Sequence, residues 1–317
     1  LRHSRIPVPT LLLVLLWALA APAGRAEARE VRVGAFVESV SAVDPADGSF
    51  GVSAYLWFID PEGRFDPRSD LYLLARSSTI SGYYEERGAD GRAYVSVEVS
   101  AVVDQEYDLT DFPFDEQLLT LRIEAGDPAD TIRFVPDDTA PGIADHVRLA
   151  DWRVGGARLT AADHRYDVRY GLEDTGPRVY SQLELSVEVA RVQTRVVVDD
   201  FLGFIFSFII TGLIYFVPSS ELGTRIGMTT GSLFAALLNL NRLLDAAGFK
   251  SEFGLVEQLG FLIFGAILCS LAISIAMKRA SVKWGVARAD RIDAILGGTV
   301  MLGFLVAIIL VLRAGMR

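Results

Sequence analysis

The sequence predicts a β-sandwich extracellular domain followed by a four-helix transmembrane bundle. Two observations carry this. Before about residue 199, apolar and polar residues alternate with period two between turn signals, the pattern of half-buried antiparallel strands. From there on the chain is dominated by apolar runs long enough to cross a bilayer. Hydrophobic residues make up 51% of the 317, and their excess sits in the C-terminal part. The chain divides accordingly into 1–28, 29–198 and 199–317.

Residues 1–28 read as a secretory signal peptide. Arg2 and Arg5 precede the apolar stretch Leu11–Ala20, and small-x-small sites end at Ala23 and Ala28. Export puts 29–198 outside the membrane, in a periplasmic or extracellular position. This domain has no cysteine, because the chain's one cysteine is Cys269. Its stability must come from a packed core and not from disulfides.

The strand signals follow in order. Phe50, Val52, Ala54, Leu56 and Phe58 alternate with a second set. Val95, Val97 and Val99 alternate with Ser96, Glu98 and Ser100. Leu119, Leu121 and Ile123 alternate with Thr120, Arg122 and Glu124, and Leu183, Leu185, Val187 and Val189 with Glu184, Ser186 and Glu188. Turn signals lie at 44–48, 60–63, 88–91, 126–128, 155–156 and 175–177. No stretch of helical period interrupts them, so a sandwich is expected.

Charge is partitioned as well. Residues 27–200 hold 17 basic and 34 acidic groups, a net of −17 within a chain total of −10. Such a surface argues against nucleic acid as a partner and favours cations nearby. The same region has neither Lys nor Asn.

Four apolar segments follow, with helices expected at about 199–217, 222–245, 253–278 and 290–314. Lys278, Arg279, Lys283, Arg288 and Arg291 place the last connection on the cytoplasmic side of a multi-pass plasma-membrane protein. No Gly-, Pro- or Ser-rich linker separates the last strand from the first helix, so the two are stiffly joined. The second helix is unusually polar. Steps of four and three residues put Gly227, Gly231, Phe234, Leu238, Asn241 and Asp245 on one stripe: small, then bulky and apolar, then polar. That order suits a water-filled pore with an apolar constriction. A helix packed on its neighbours through Gly and Ser is the alternative.

The run Tyr107–Gln117 is both apolar and acidic, and its core Phe112-Pro113-Phe114-Asp115-Glu116-Gln117 resembles the signature loop of the pentameric ligand-gated ion channels. Leu149–Val154, Tyr55–Asp60, Arg191 and the run Pro218–Gly227 resemble further family segments, so the likeness spans Arg29–Arg317. The family's loop cysteines fall on Gln105 and Leu119, so the chain is similar to bacterial members that lack this disulfide. A proline common in the middle of the first membrane helix is absent, and Thr224 stands where animal cation channels often carry a glutamate.

The resemblance implies a homopentamer in a bilayer, with permeant ions as its cargo and no cofactor. The pore would be lined by Glu221, Thr224, Gly227, Gly231, Phe234, Leu238, Asn241 and Asp245, with Arg225 near the inner mouth. Asp44, Asp47, Phe112, Pro113, Phe114, Asp115, Arg191 and Lys250 would couple the sandwich to the helices. An agonist would bind between subunits among Tyr55, Trp57, Tyr94, Tyr166, Tyr170 and Tyr180, and such rings suit a small amine. Protons or Ca²⁺ also suit the acidic domain, although no cluster has metal-ligand spacing and the metal is left open. No catalytic motif is present, so an enzyme is not expected. A membrane-anchored sandwich that binds or senses without conducting stays open.

Overall fold

The structure is a computed structural model that describes residues 28–168, 178–247 and 253–315. Residues 1–27 of the expected signal peptide, Tyr170, the turn signal at 175–177 and Lys250 lie outside the described residues.

The first part consists of β1 (Arg29–Asp44), β2 (Ser49–Asp60), a one-turn helix α1 (Pro67–Asp70), β3 (Leu71–Leu74), β4 (Ser77–Arg87), β5 (Ala93–Asp104), β6 (Glu116–Pro128), β7 (Ile132–Pro136), β8 (Gly142–Ile143), β9 (Trp152–Tyr166) and β10 (Arg178–Arg191). They form two sheets. One has the order β4-β5-β2-β1-β7 with β8 beside β1, and the other the order β3-β6-β10-β9. Pairing is antiparallel except where β7 and β8 join β1.

The expected alternation is what closes the sandwich. Val31, Val33, Ala35, Leu56, Phe58, Val97 and Val99 of the first sheet are buried against Leu119, Leu121, Ile123, Leu183 and Leu185 of the second. Each large apolar side chain removed from water here stabilises by about 1.5–3 kcal/mol. Rings fill one end of the core, with Phe58 and Phe65 at 4.8 Å and Phe65 edge-on to Phe134 at 5.6 Å.

Two turn signals are corrected. Gly155 and Gly156 lie inside β9, where the register with β10 shifts between Val187 and Val189. A Cβ on Gly155 would come within 3.1 Å of the Glu188 side chain, so the glycine serves an irregular strand and not a reversal. Gly126–Pro128 likewise finish β6.

The second part holds α2 (Gln193–Leu213) with a 3-10 turn at Ile214–Phe216, α3 (Leu222–Ala247), α4 (Leu255–Trp284) and α5 (Val286–Gly315). Gly285, at φ 84°, supplies the left-handed residue that reverses the chain between α4 and α5. At about 1.5 Å per residue, 30-residue helices exceed a hydrocarbon core of about 30 Å. Against the four spans expected, α4 and α5 alone among the described helices are long and apolar enough to cross a membrane. The apolar part of α2 is the shorter Phe201–Phe216, and α3 is diluted by its polar residues. Only Ala289, Asp293 and Gly297 of α5 are buried, whereas Ile295, Leu302 and Leu310 are exposed.

Candidate functional site: the sandwich–helix junction and the exposed stripe of α3

The Tyr107–Gln117 loop joins the two parts. Phe112 N–H donates to Leu109 O at 3.1 Å and Phe114 N–H to Asp111 O at 2.7 Å, which folds the loop into consecutive turns. The Phe112–Pro113 peptide is cis. Gln117 closes the loop from inside: its Oε1 accepts from Asp108 N–H at 3.2 Å, and its Nε2 donates to Asp108 O at 2.6 Å and to Asp115 Oδ2 at 3.0 Å. Gln105 Oε1 accepts from Thr120 N–H at 3.4 Å. The Gln105 side chain thus reaches the backbone next to Leu119.

Asp115 and Arg191 form the polar centre of this junction. The Arg191 guanidinium meets both carboxylate oxygens, at 2.7 and 3.1 Å, and Arg191 N–H donates to Asp115 O at 3.2 Å. The carboxylate is 1% exposed and the guanidinium 10%. The guanidinium carbon lies 4.2 Å from the Trp152 ring centre and 4.8 Å from that of Phe112. A two-pronged buried pair flanked by rings fixes orientation as well as distance. Only Val192 separates Arg191 from the first residue of α2, so β6, β10 and α2 are tied at one point.

The loop also docks onto the helices. Leu109 and Phe112 are buried in one apolar cluster with Phe201, Phe204, Leu243 and Leu255. Thr110 O accepts from Leu255 N–H at 2.8 Å, at the start of α4. Gly254 allows this approach, because a Cβ there would lie 2.9 Å from Thr110 O. Glu257 Oε2 accepts from Gly254 N–H at 3.0 Å and closes the helix start. Pro113 and the half-buried Phe114 cover an apolar cavity of about 340 Å³ whose other walls come from α2, α4 and α5.

Asp44 and Asp47 do not reach Arg191. Asp44 Oδ1 accepts from Ala46 and Asp47 N–H, which caps its own turn. Asp47 accepts from Ser49 Oγ at 2.6 Å and from Arg76 at 2.7 Å, and these hold its carboxyl below the usual range. The turn contacts the loop through Tyr107, whose hydroxyl donates to Ser49 O at 2.7 Å. Burial raises the Tyr107 phenol well above its ordinary value.

On α3 the residues separate cleanly by face. Arg225, Thr229, Ser232, Ala236, Asn239 and Leu243 are buried against the other helices. Glu221 just before the helix is exposed, as are Thr224, Gly227, Gly231, Phe234, Leu238, Asn241 and Asp245 along it. Phe234 is 61% and Leu238 68% exposed, high values for apolar residues at mid-helix. A Cβ on Gly227 or Gly231 would meet nothing within 4 Å, so among the described residues these glycines are not contact points. Arg242 lies exposed at the edge of the stripe and has a partner. Arg225 belongs to the opposite face: it is fully buried and paired with Asp293 of α5.

The aromatic candidates fall on two different sheets. Tyr55, Trp57 and Tyr94 share the face of β2 and β5 turned away from the core. Tyr55 and Tyr94 are exposed, whereas Trp57 is half-buried and donates Nε1–H to Asp137 at 3.1 Å. Its indole lies across Gly34, where a Cβ would come within 2.4 Å. Tyr166 and Tyr180 sit on β9 and β10 with ring centres 5.6 Å apart, and His164 is 4.4 Å from Tyr166. One chain therefore does not bring the two groups together.

Glu124 is the residue that sequence reasoning missed here. Its place in the alternation marks it as a solvent-facing position, yet it is 7% exposed. Tyr166 OH donates to both of its oxygens at 3.1 Å, and Gln182 Nε2 donates at 3.0 Å. Among the described residues Glu124 belongs to no ion pair. Among the same residues, no group of three or more His, Cys, Asp or Glu is placed to hold a metal ion.

Compared with known proteins, the chain matches no family model and no curated protein.

Proposed function

We propose that the chain is a subunit of a homopentameric ligand-gated ion channel in a bacterial inner membrane. Its four helices form a transmembrane bundle, and α3 lines the pore. The observation that carries this is the division of α3 into a buried, partly polar face and an exposed stripe that no described part of the same chain covers. A ring of identical stripes around one axis would give each a water-filled neighbour, with Phe234 and Leu238 as the constriction. The exposed apolar residues of α5 suit lipid.

The junction supports coupling. A shift of β10 or the loop would be carried through the Arg191–Asp115 pair to α2 and through Thr110 and Phe112 to the start of α4. The tyrosines and buried Glu124 suit a small amine bound between Tyr166 and Tyr180 of one subunit and Tyr55 and Tyr94 of the next. Protons and divalent ions are further candidate stimuli for the acidic exterior. Its charge of −17, with Glu221 and Asp245 on the stripe, favours cations as the permeant species.

The test is current through purified protein in planar bilayers under a salt gradient, scanned over pH and small amines. A gated, cation-selective current is expected. Intact pentamers that pass no current under any condition would overturn the channel and leave a binding or sensing protein.

A further inference from the structure

The inner end of α3 carries a basic residue, Arg225, one position from the exposed Thr224 and close to Glu221. On the stripe it would oppose the passage of cations. The structure keeps it elsewhere. Arg225 and Asp293 are 1% and 0% exposed and form an ion pair between α3 and α5. The guanidinium also donates to Val217 O, at 3.1 Å from Nε, and lies 3.5 Å from Ser274 Oγ.

The surrounding connection is fastened from two more sides. Ser219 N–H donates to Asp290 Oδ1 at 2.8 Å, and Lys278 Nζ donates to Ser220 O at 2.7 Å. Asp290 and Lys278 thus hold the backbone of the α2–α3 turn. Asp293 is the carboxylate in direct contact with the Arg225 guanidinium, and Asp290 adds only a weaker charge interaction from farther away. Its second oxygen, Oδ1, is buried and has no hydrogen-bond partner among the described residues, so among them the carboxylate's direct partner is this one cation.

We propose that Asp293 is a selectivity-positioning residue: by holding Arg225 inside the helices, it keeps a ring of positive charge out of the inner pore mouth. Glu221 is then left as the exposed ionisable group there. This rests on the channel reading above. The physical reason is that a buried guanidinium without a counter-charge is strongly unfavourable, while a long flexible side chain can turn its charged end to water. Arg225 is flanked on α3 by the exposed Thr224 and Ile226, so a released guanidinium would turn to that exposed face, and one substitution repeated in five subunits would place five cations there.

Four variants separate the outcomes: Asp293→Asn, Asp293→Glu, Arg225→Gln, and Arg225→Gln with Asp293→Asn. The readout is the cation-to-chloride permeability ratio in bilayers, together with inward and outward single-channel conductance. Asp293→Asn is expected to lower the ratio about tenfold and to reduce cation conductance from the inner side. Asp293→Glu should keep the parent ratio. The double variant removes both charges and should restore the parent ratio, as should Arg225→Gln. An unchanged ratio in a conducting Asp293→Asn channel would overturn the proposal. Should that variant fail to assemble, the double variant decides. A ratio several-fold more cation-selective than the parent would mean that Arg225 already acts on permeating ions, which also overturns it. Absence of current in the parent protein would count against the channel reading instead.

Discussion

Asp115→Asn keeps the shape of the side chain and removes its charge. Arg191, 10% exposed, would then lie between Phe112 and Trp152 with no carboxylate. Removing one partner of a buried pair costs about 3–5 kcal/mol. The partial exposure of Arg191 and its two ring contacts place this case near about 3 kcal/mol. For a domain of this size about 1 kcal/mol corresponds to roughly 2–4 °C, so the melting temperature should fall by roughly 6–12 °C. Thermal unfolding of the purified protein, followed by tryptophan fluorescence, measures this, with Trp152 itself at the junction. Arg191→Met and the double variant complete a cycle. The expected coupling is at least about 1.5 kcal/mol, and the double variant should be more stable than either single one. Additive effects, with coupling below about 0.5 kcal/mol, would refute the claim that the pair acts as one buried unit.

Other outcomes follow from the same contacts. Phe112→Ala should destabilise by about 3–5 kcal/mol, seen as a lower melting temperature. The half-buried Phe114→Ala should leave pentamers intact by size-exclusion chromatography and impair gating, and unchanged gating would count against its coupling role. Tyr107 is held neutral in the folded protein by burial, so its contribution is complete below the unfolded value of about 10 and is lost as pH rises above it. Alkaline unfolding from about pH 10 should therefore weaken in Tyr107→Phe, measured by circular dichroism against pH. Glu124→Gln should raise the concentration of a small primary amine needed for half-maximal current by at least about tenfold, with the melting temperature nearly unchanged. An unaltered response would remove Glu124 from the ligand site.

Much of this molecule was legible because period two and burial on one face are the same fact seen twice. Val95, Val97 and Val99 pointed to the core from the sequence alone. Glu124 was not legible, because alternation gives the face and not what covers it; Tyr166 arrives from another strand, 42 residues away. Gly155 and Gly156 carried a turn signal, yet glycine also serves an irregular strand. On α3, helical phase groups Gly227, Gly231, Phe234, Leu238, Asn241 and Asp245, and all six are exposed. The same phase counted from Arg225 passes through Thr229, Ser232, Ala236 and Asn239, the buried side. The resemblance implies a place for Arg225 near an inner mouth, and its helical phase puts its side chain on the buried side. The Gln117 clasp depends on backbone nine residues away in a folded loop, which no periodicity records.

The central claim is that the exposed stripe of α3 lines a water-filled, ion-conducting path. Cysteine scanning along α3 tests it most directly, in a Cys269→Ser background because Cys269 is exposed and is the chain's one cysteine. A charged thiol reagent is applied while current is recorded. Phe234→Cys, Leu238→Cys and Asn241→Cys should be modified and change the current within seconds, while Ser232→Cys, Ala236→Cys and Leu243→Cys should stay unreactive. Equal reactivity on both faces, or modification that leaves current unaltered at Phe234 and Leu238, would contradict the account.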